Sequence, residues 1–291
     1  MYKIIFLLLL LSILLCGCTT PKTTSLKPLV TVSILPQKYF VERIAGNSID
    51  VLVMIPPGAS PATFSPTPIL LTKMNRSILY FRIGYIPFEK TWMPKIASSI
   101  PDMKVVDTSK NVELIFPDVH EGHGKDHDHS GIDPHIWLSF REVEIQIRNI
   151  QLALTNHFPE KKELFTKNSE KFLKEIADLD SKMKVYFGKT KCKEFIVFHP
   201  VWTYFARSYG LVQHAIESEG KKPSPIQMKK IIDLANNRGI KVVFVQKQFD
   251  TKSIRALAEE INGKVIALDP LAEDWLKNME NVCNIFLKEL K

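Results

Sequence analysis

The sequence predicts an α/β protein of two lobes, each built on a mostly parallel sheet, joined by a long rigid backbone helix. Short apolar, β-rich runs alternate with amphipathic stretches from Leu29 onward, as units of strand and helix do. The runs fall into an early group and a late group, and a long helical region separates them.

The early strands are read at Leu29 to Ile34, Ile49 to Ile55, Ile78 to Ile83 and Lys104 to Val106, and the late ones at Glu194 to Phe198, Lys241 to Val245 and Lys264 to Leu268. In the region between, Val143, Ile147, Ile150, Leu154 and Phe158 recur at spacings of three and four, as one helix face requires. A second helix starts at Pro159, where a missing N–H costs little, and is expected to end at Gly188. Its stripe is Phe165, Phe172, Ile176, Leu179, Met183 and Tyr186. Nearly thirty residues at a rise of about 1.5 Å each give a rod of roughly 43 Å, long enough to cross from one lobe to the other. A break near Asp178 to Ser181 is the alternative, but the stripe keeps its phase there.

The N-terminus sets the compartment. Lys3 precedes an apolar run from Ile4 to Leu15, short for a bilayer span and suited to a secretory signal peptide. Leu15-Cys16-Gly17-Cys18 looks like a bacterial lipobox, which implies cleavage before Cys18 and lipidation of its thiol. A plain transmembrane anchor is the competing reading. The expected division is 1–17 signal peptide, 18–28 tether, 29–157 N-terminal lobe, 158–188 connecting helix and 189–291 C-terminal lobe. The formal charge of +8 comes with lysines interleaved with glutamates, the pattern of solvated helix faces, and no nucleic-acid module stands behind it. Cys192 and Cys283 remain besides the anchor, and an exported protein could join them in a disulfide.

Five of the eight histidines, His120, His123, His127, His129 and His135, fall within sixteen residues rich in Gly and Asp. That is a metal-binding composition, although a solvated loop would read the same way. His199 follows the strand Phe195 to Phe198, and Asp269 follows Val265 to Leu268, each just before a proline. Ligands of open α/β sheets gather at such strand ends. Alone, the histidine could be a packed core residue and the aspartate a helix cap; together with His135 in Asp133-Pro-His-Ile-Trp137 they suggest one shared site. Two imidazoles and a carboxylate suit Zn²⁺ and would accept Mn²⁺ or Fe²⁺.

Several segments then resemble, in order, the metal-receptor lipoproteins and periplasmic proteins of zinc and manganese ABC transporters. They are Val32 to Gly46, Pro56-Pro-Gly-Ala-Ser-Pro61, Asp133 to Leu138, Phe198 to Phe205, Glu219 to Pro225, Val245 to Phe249 and Leu268 to Ala272. The resemblance covers nearly the whole mature chain. It implies two lobes with metal in the cleft between them, little hinge closure, ligands at His135, His199 and Asp269, and delivery of the ion to an ABC permease. The family's fourth ligand is lost, because Ala62 stands where a histidine is usual; water or an imidazole from the His120 to His129 loop would replace it. The histidine-rich insertion favours zinc over manganese.

The protein is therefore expected to be exported, lipid-anchored to the bacterial membrane, monomeric and not an enzyme. A manganese or iron(II) receptor, a metal-binding adhesin or buffer, and a zinc hydrolase are the alternatives. A hydrolase would need a base near metal-bound water. No HExxH spacing occurs, and Glu217 and Glu219, the free candidates, read as parts of a surface loop before Pro223.

Overall fold

Among the described residues, eight strands form two four-stranded parallel sheets with the same strand order. The first contains β1 (Leu29–Val32), β2 (Asp50–Val53), β3 (Ser77–Arg82) and β4 (Lys104–Asp107) in the order β2-β1-β3-β4. The second contains β5 (Glu194–Val197), β6 (Val212–Ala215), β7 (Val242–Gln246) and β8 (Lys264–Leu268) in the order β6-β5-β7-β8. This computed structural model describes residues 26–116, 131–217, 223–247 and 252–290.

Burial separates the inner strands from the edges. The inner strands β1, β3, β5 and β7 are almost wholly buried, whereas β2, β4 and β6 have no fully buried residue and β8 has one. Strands covered on both faces read as continuous apolar runs. The seven expected strands all form, with ends differing by a residue or two. The eighth, β6, was not expected: Val-Gln-His-Ala is a short edge strand with little apolar content.

Nine helices of the described residues cover the sheets. The first sheet carries α1 (Leu35–Ala45), α2 (Pro68–Met74) and α3 (Pro87–Ser99). The connection is α4 (Phe140–His157) followed by α5 (Lys162–Lys189). The second sheet carries α6 (Thr203–Tyr209), α7 (Pro225–Arg238), α8 (Lys252–Glu260) and α9 (Trp275–Glu289).

The long helix runs unbroken through Asp178 to Ser181 and is 28 residues long, about 42 Å at 1.5 Å per residue. Pro159 opens a 3-10 turn ahead of it, and Gly188 lies inside it rather than capping it, since Thr190 takes the cap. The expected stripe slips at its end. Tyr186 is exposed and Phe187, four residues after Met183, is buried against Phe205 and Tyr209. In its first half Asn168 donates to the Ile44 carbonyl and Glu175 pairs with Arg43 at 2.7 Å, both on α1. In its second half Asp180 accepts from the Tyr209 hydroxyl on α6. One buried apolar cluster runs from β1 through α4 and α5 to Phe286, so the two sheets share a core. That continuity opposes large relative movement of the lobes.

At the carboxyl edge of the first sheet, Glu89 on α3 is buried and accepts from Ser33, from the Ile83 amide at 2.8 Å and from the Gly84 amide at 2.6 Å. Burial pushes its carboxyl up to about 7, against those hydrogen bonds and the Arg82 charge. A folded pKa above the unfolded value means that the stability due to its proton is complete below about 4.5 and is lost as pH rises through about 7. The stability difference between wild type and Glu89→Gln should therefore shrink from pH 5 to pH 8 in denaturant titrations. A difference that grows over that range would contradict the assignment.

Candidate metal centre between the lobes

The site begins with a turn. The Asp133 carboxylate accepts from the His135 amide at 2.9 Å and lies 2.8 Å from His135 Nδ1, so the short side chain fixes both the backbone and the ring that follow it. The second lobe reaches over to the same segment: the Tyr204 hydroxyl on α6 donates to the Asp133 carbonyl at 2.9 Å and accepts from the Ile115 amide. Ile136, Trp137 and Leu138 then form a buried 3-10 turn.

Two indoles tie that turn to the end of β8. Trp137 Nε1 donates to the Pro270 carbonyl at 2.7 Å, and Trp275 Nε1 donates to the Trp137 carbonyl at 2.6 Å. Pro270 directly follows Asp269, so the bonds hold the His135 and Asp269 segments together across the lobes. Asp269 Oδ1 accepts from the Leu271 amide, and its Oδ2 lies 3.5 Å from Lys247 Nζ.

His199 stands two residues beyond β5, at the point between β5 and β7 where the strand order reverses and crevices form. Its ring meets that of His135 edge-to-face, with centroids 5.6 Å apart and an interplanar angle of 81°. Behind it, Glu217 Oε2 lies 3.3 Å from Nδ1. Burial lowers the His199 pKa to about 4, aided by the neighbouring His135 and opposed by Asp133. The imidazole is thus neutral at physiological pH, the state a metal requires. Asp133 is pushed up by its own burial, but its interactions with His135 and Thr203 outweigh this and hold it below the usual range.

The family model described as zinc-uptake complex component A, periplasmic (ZnuA), matches residues 30–288. The chain belongs to the ZnuA family. The high-affinity zinc uptake system protein ZnuA of Bacillus subtilis is 27% identical over 255 residues, 83% of this chain and 78% of that protein. The zinc-binding lipoprotein AdcA of Streptococcus pneumoniae is 27% identical over 295 residues, 97% of this chain but 58% of AdcA. A crystal structure of a ZnuA deletion mutant with zinc bound superposes with a TM-score of 0.83 at 35% identity, covering 91% of this chain and 98% of that one.

In this ZnuA-family chain, His135 and His199 come together, and Asp269 stands at the end of β8, separated from β5 by β7, beside Lys247. Among the described residues no three His, Cys, Asp or Glu side chains are grouped so as to hold an ion. Ala62 lies exposed in a turn after β2, closed by the Thr63 and Phe64 amides on the Ser60 carbonyl. His120, His123, His127, His129, Glu219 and Cys18 lie outside the described residues. Cys192 and Cys283 are free thiols, with Cys283 buried.

Glu217 corrects the surface-loop reading, since it is 6% exposed and lies beside His199. The signal was present in the strand-end rule that singled out His199 and Asp269. It was hidden because β6, whose end Glu217 follows, was not recognised.

Proposed function

We propose that this ZnuA-family chain captures Zn²⁺ outside the cytoplasm and hands it to the membrane permease of an ABC transporter, binding the ion with His135, His199 and Asp269. The observation that supports this most is the meeting of two imidazoles, one from each lobe, at 5.6 Å between ring centroids. Zinc takes imidazole nitrogen at about 2.0–2.1 Å and carboxylate oxygen at about 2.0–2.2 Å. Asp269 faces Lys247, whose side chain is 66% exposed. Such a pair is worth roughly 0–1 kcal/mol, so an incoming dication displaces the ammonium at small cost. Mn²⁺ and Fe²⁺ fit the same donors more weakly.

The role is that of a carrier and not an enzyme: binding and release complete its task. Its membrane attachment is a lipid on Cys18, and its working form is a monomer. Among the described residues no helix is long and apolar enough to cross a membrane. Cys18→Ala should move the protein from the membrane fraction to the soluble one, or block its maturation; unchanged fractionation and mass contradict the anchor.

Competition titration among Zn²⁺, Mn²⁺ and Fe²⁺ tests the choice of ion. Zinc should bind most tightly, and a manganese Kd equal to or below that of zinc would overturn the zinc reading. We assign the fourth position to water, since ordering a loop costs about 1–2 kcal/mol per fixed residue. Ala62→His then offers an imidazole from a hydrogen-bonded turn and should tighten zinc binding by on the order of tenfold, about 1.4 kcal/mol. An unchanged affinity would show that the Ser60 to Phe64 turn does not face the ion.

A further inference from the structure

We propose that Asp133 and Glu217 are paired positioning residues, each holding one imidazole by its Nδ1 so that the Nε2 lone pair of both rings points into the space between the lobes. The inference rests on the metal reading of His135 and His199. It adds to that reading the groups that determine which nitrogen is presented.

A carboxylate lies beside Nδ1 on both sides, hydrogen-bonded to the ring on the first and within ion-pair distance, without hydrogen-bond alignment, on the second. Asp133 Oδ1 lies 2.8 Å from His135 Nδ1, and Glu217 Oε2 lies 3.3 Å from His199 Nδ1. An ionised carboxylate only accepts, so the nitrogen facing it carries the hydrogen, and in a neutral ring the other nitrogen is then the donor to a metal. Both carboxylates are withdrawn from water, with side chains 11% and 6% exposed. A buried carboxylate is costly for a fold unless it is partnered. In each case an imidazole lies against it.

Each carboxylate is delivered by backbone rather than by a flexible loop. Asp133 is locked by the turn it makes with the His135 amide. Glu217 is placed by the register of the sheet: β5 pairs with β6 as Glu194↔Val212 through Val197↔Ala215. Just beyond β6 the Ile216 amide donates to the Val197 carbonyl and the Glu217 amide to the Phe198 carbonyl, both at 2.9 Å. The second of these bonds ties the Glu217 backbone to the residue just before His199. Carboxylates behind metal-bound imidazoles fix tautomer and ring orientation and strengthen the ligand, and losing one costs about 10–100-fold in affinity.

The test is long-range ¹H–¹⁵N correlation NMR of the histidine rings in the full mature protein without metal at pH 7.5, followed by zinc titration of the same samples. In wild type both rings should carry the proton on Nδ1. Glu217→Leu should shift His199 toward the Nε2–H tautomer and weaken zinc binding about 10–100-fold. Glu217→Gln keeps an acceptor oxygen and should retain both the tautomer and most of the affinity. A wild-type His199 protonated on Nε2, or a tautomer unchanged by Glu217→Leu, overturns the positioning role, and the wild-type spectrum decides even if the leucine variant does not fold. Zinc binding that survives Glu217→Leu but not His199→Ala sinks the positioning role alone. Binding indifferent to His199→Ala sinks the ligand reading beneath it.

Discussion

Replacing His199 by alanine should weaken zinc binding by more than about 100-fold, while His214→Ala and His157→Ala should leave it within a factor of two or so. The lower bound comes from comparison: groups behind metal ligands cost about 10–100-fold when lost, and removing a ligand itself costs more. Of the three, only His199 combines a strand end, a neutral, part-buried ring and contact with a second imidazole. His214 is paired with Glu194 at 2.8 Å on the outer strand β6, and His157 is exposed at the end of α4 against Phe158. Competition titration with a chromophoric chelator reads all three variants. Equal losses would contradict the site.

The second large effect is structural. Trp137→Ala should cost about 3–5 kcal/mol of stability in denaturant unfolding, the range for truncating a buried aromatic. The indole is 2% exposed and is itself the donor to the Pro270 carbonyl. Its loss removes the direct hydrogen bond between the His135 turn and the end of β8, leaving the Pro270 carbonyl without that donor. Zinc affinity should therefore fall as well, though every ligand remains. A loss below about 1 kcal/mol, or full zinc affinity, would mean that the two segments are held together by other contacts.

How far the sequence could be read follows from the apolar content of each element. Inner strands such as Glu194–Val197 carry continuous apolar runs because helices cover both faces, and the Val143 to Phe158 stripe is buried throughout. The edge strand β6 carries no such signal, and its omission hid Glu217. Once β6 is known, the strand-end rule that selects His199, two residues beyond β5, also selects Glu217, two residues beyond β6. The end of α5 was misjudged between two adjacent aromatics, Tyr186 and Phe187, because spacings of three and four both keep helical phase.

The strand ends themselves were legible. His199 and Asp269 each follow an apolar run and precede a proline, whereas the importance of Ala62 came only from a resemblance, since an alanine in a turn announces nothing. The pairing of Asp269 with Lys247 was not legible, because it depends on side-chain conformation at the ends of β7 and β8.

The central claim is that one zinc ion is bound by two imidazoles and a carboxylate contributed by both lobes. X-ray absorption at the zinc edge, on protein loaded with one equivalent, measures that shell directly. The spectrum should show nitrogen and oxygen neighbours at about 2.0–2.2 Å, imidazole outer-shell scattering for two rings, and loss of one ring's contribution in each of His135→Ala and His199→Ala. Sulfur at about 2.3 Å, or a spectrum unchanged in both variants, would contradict it.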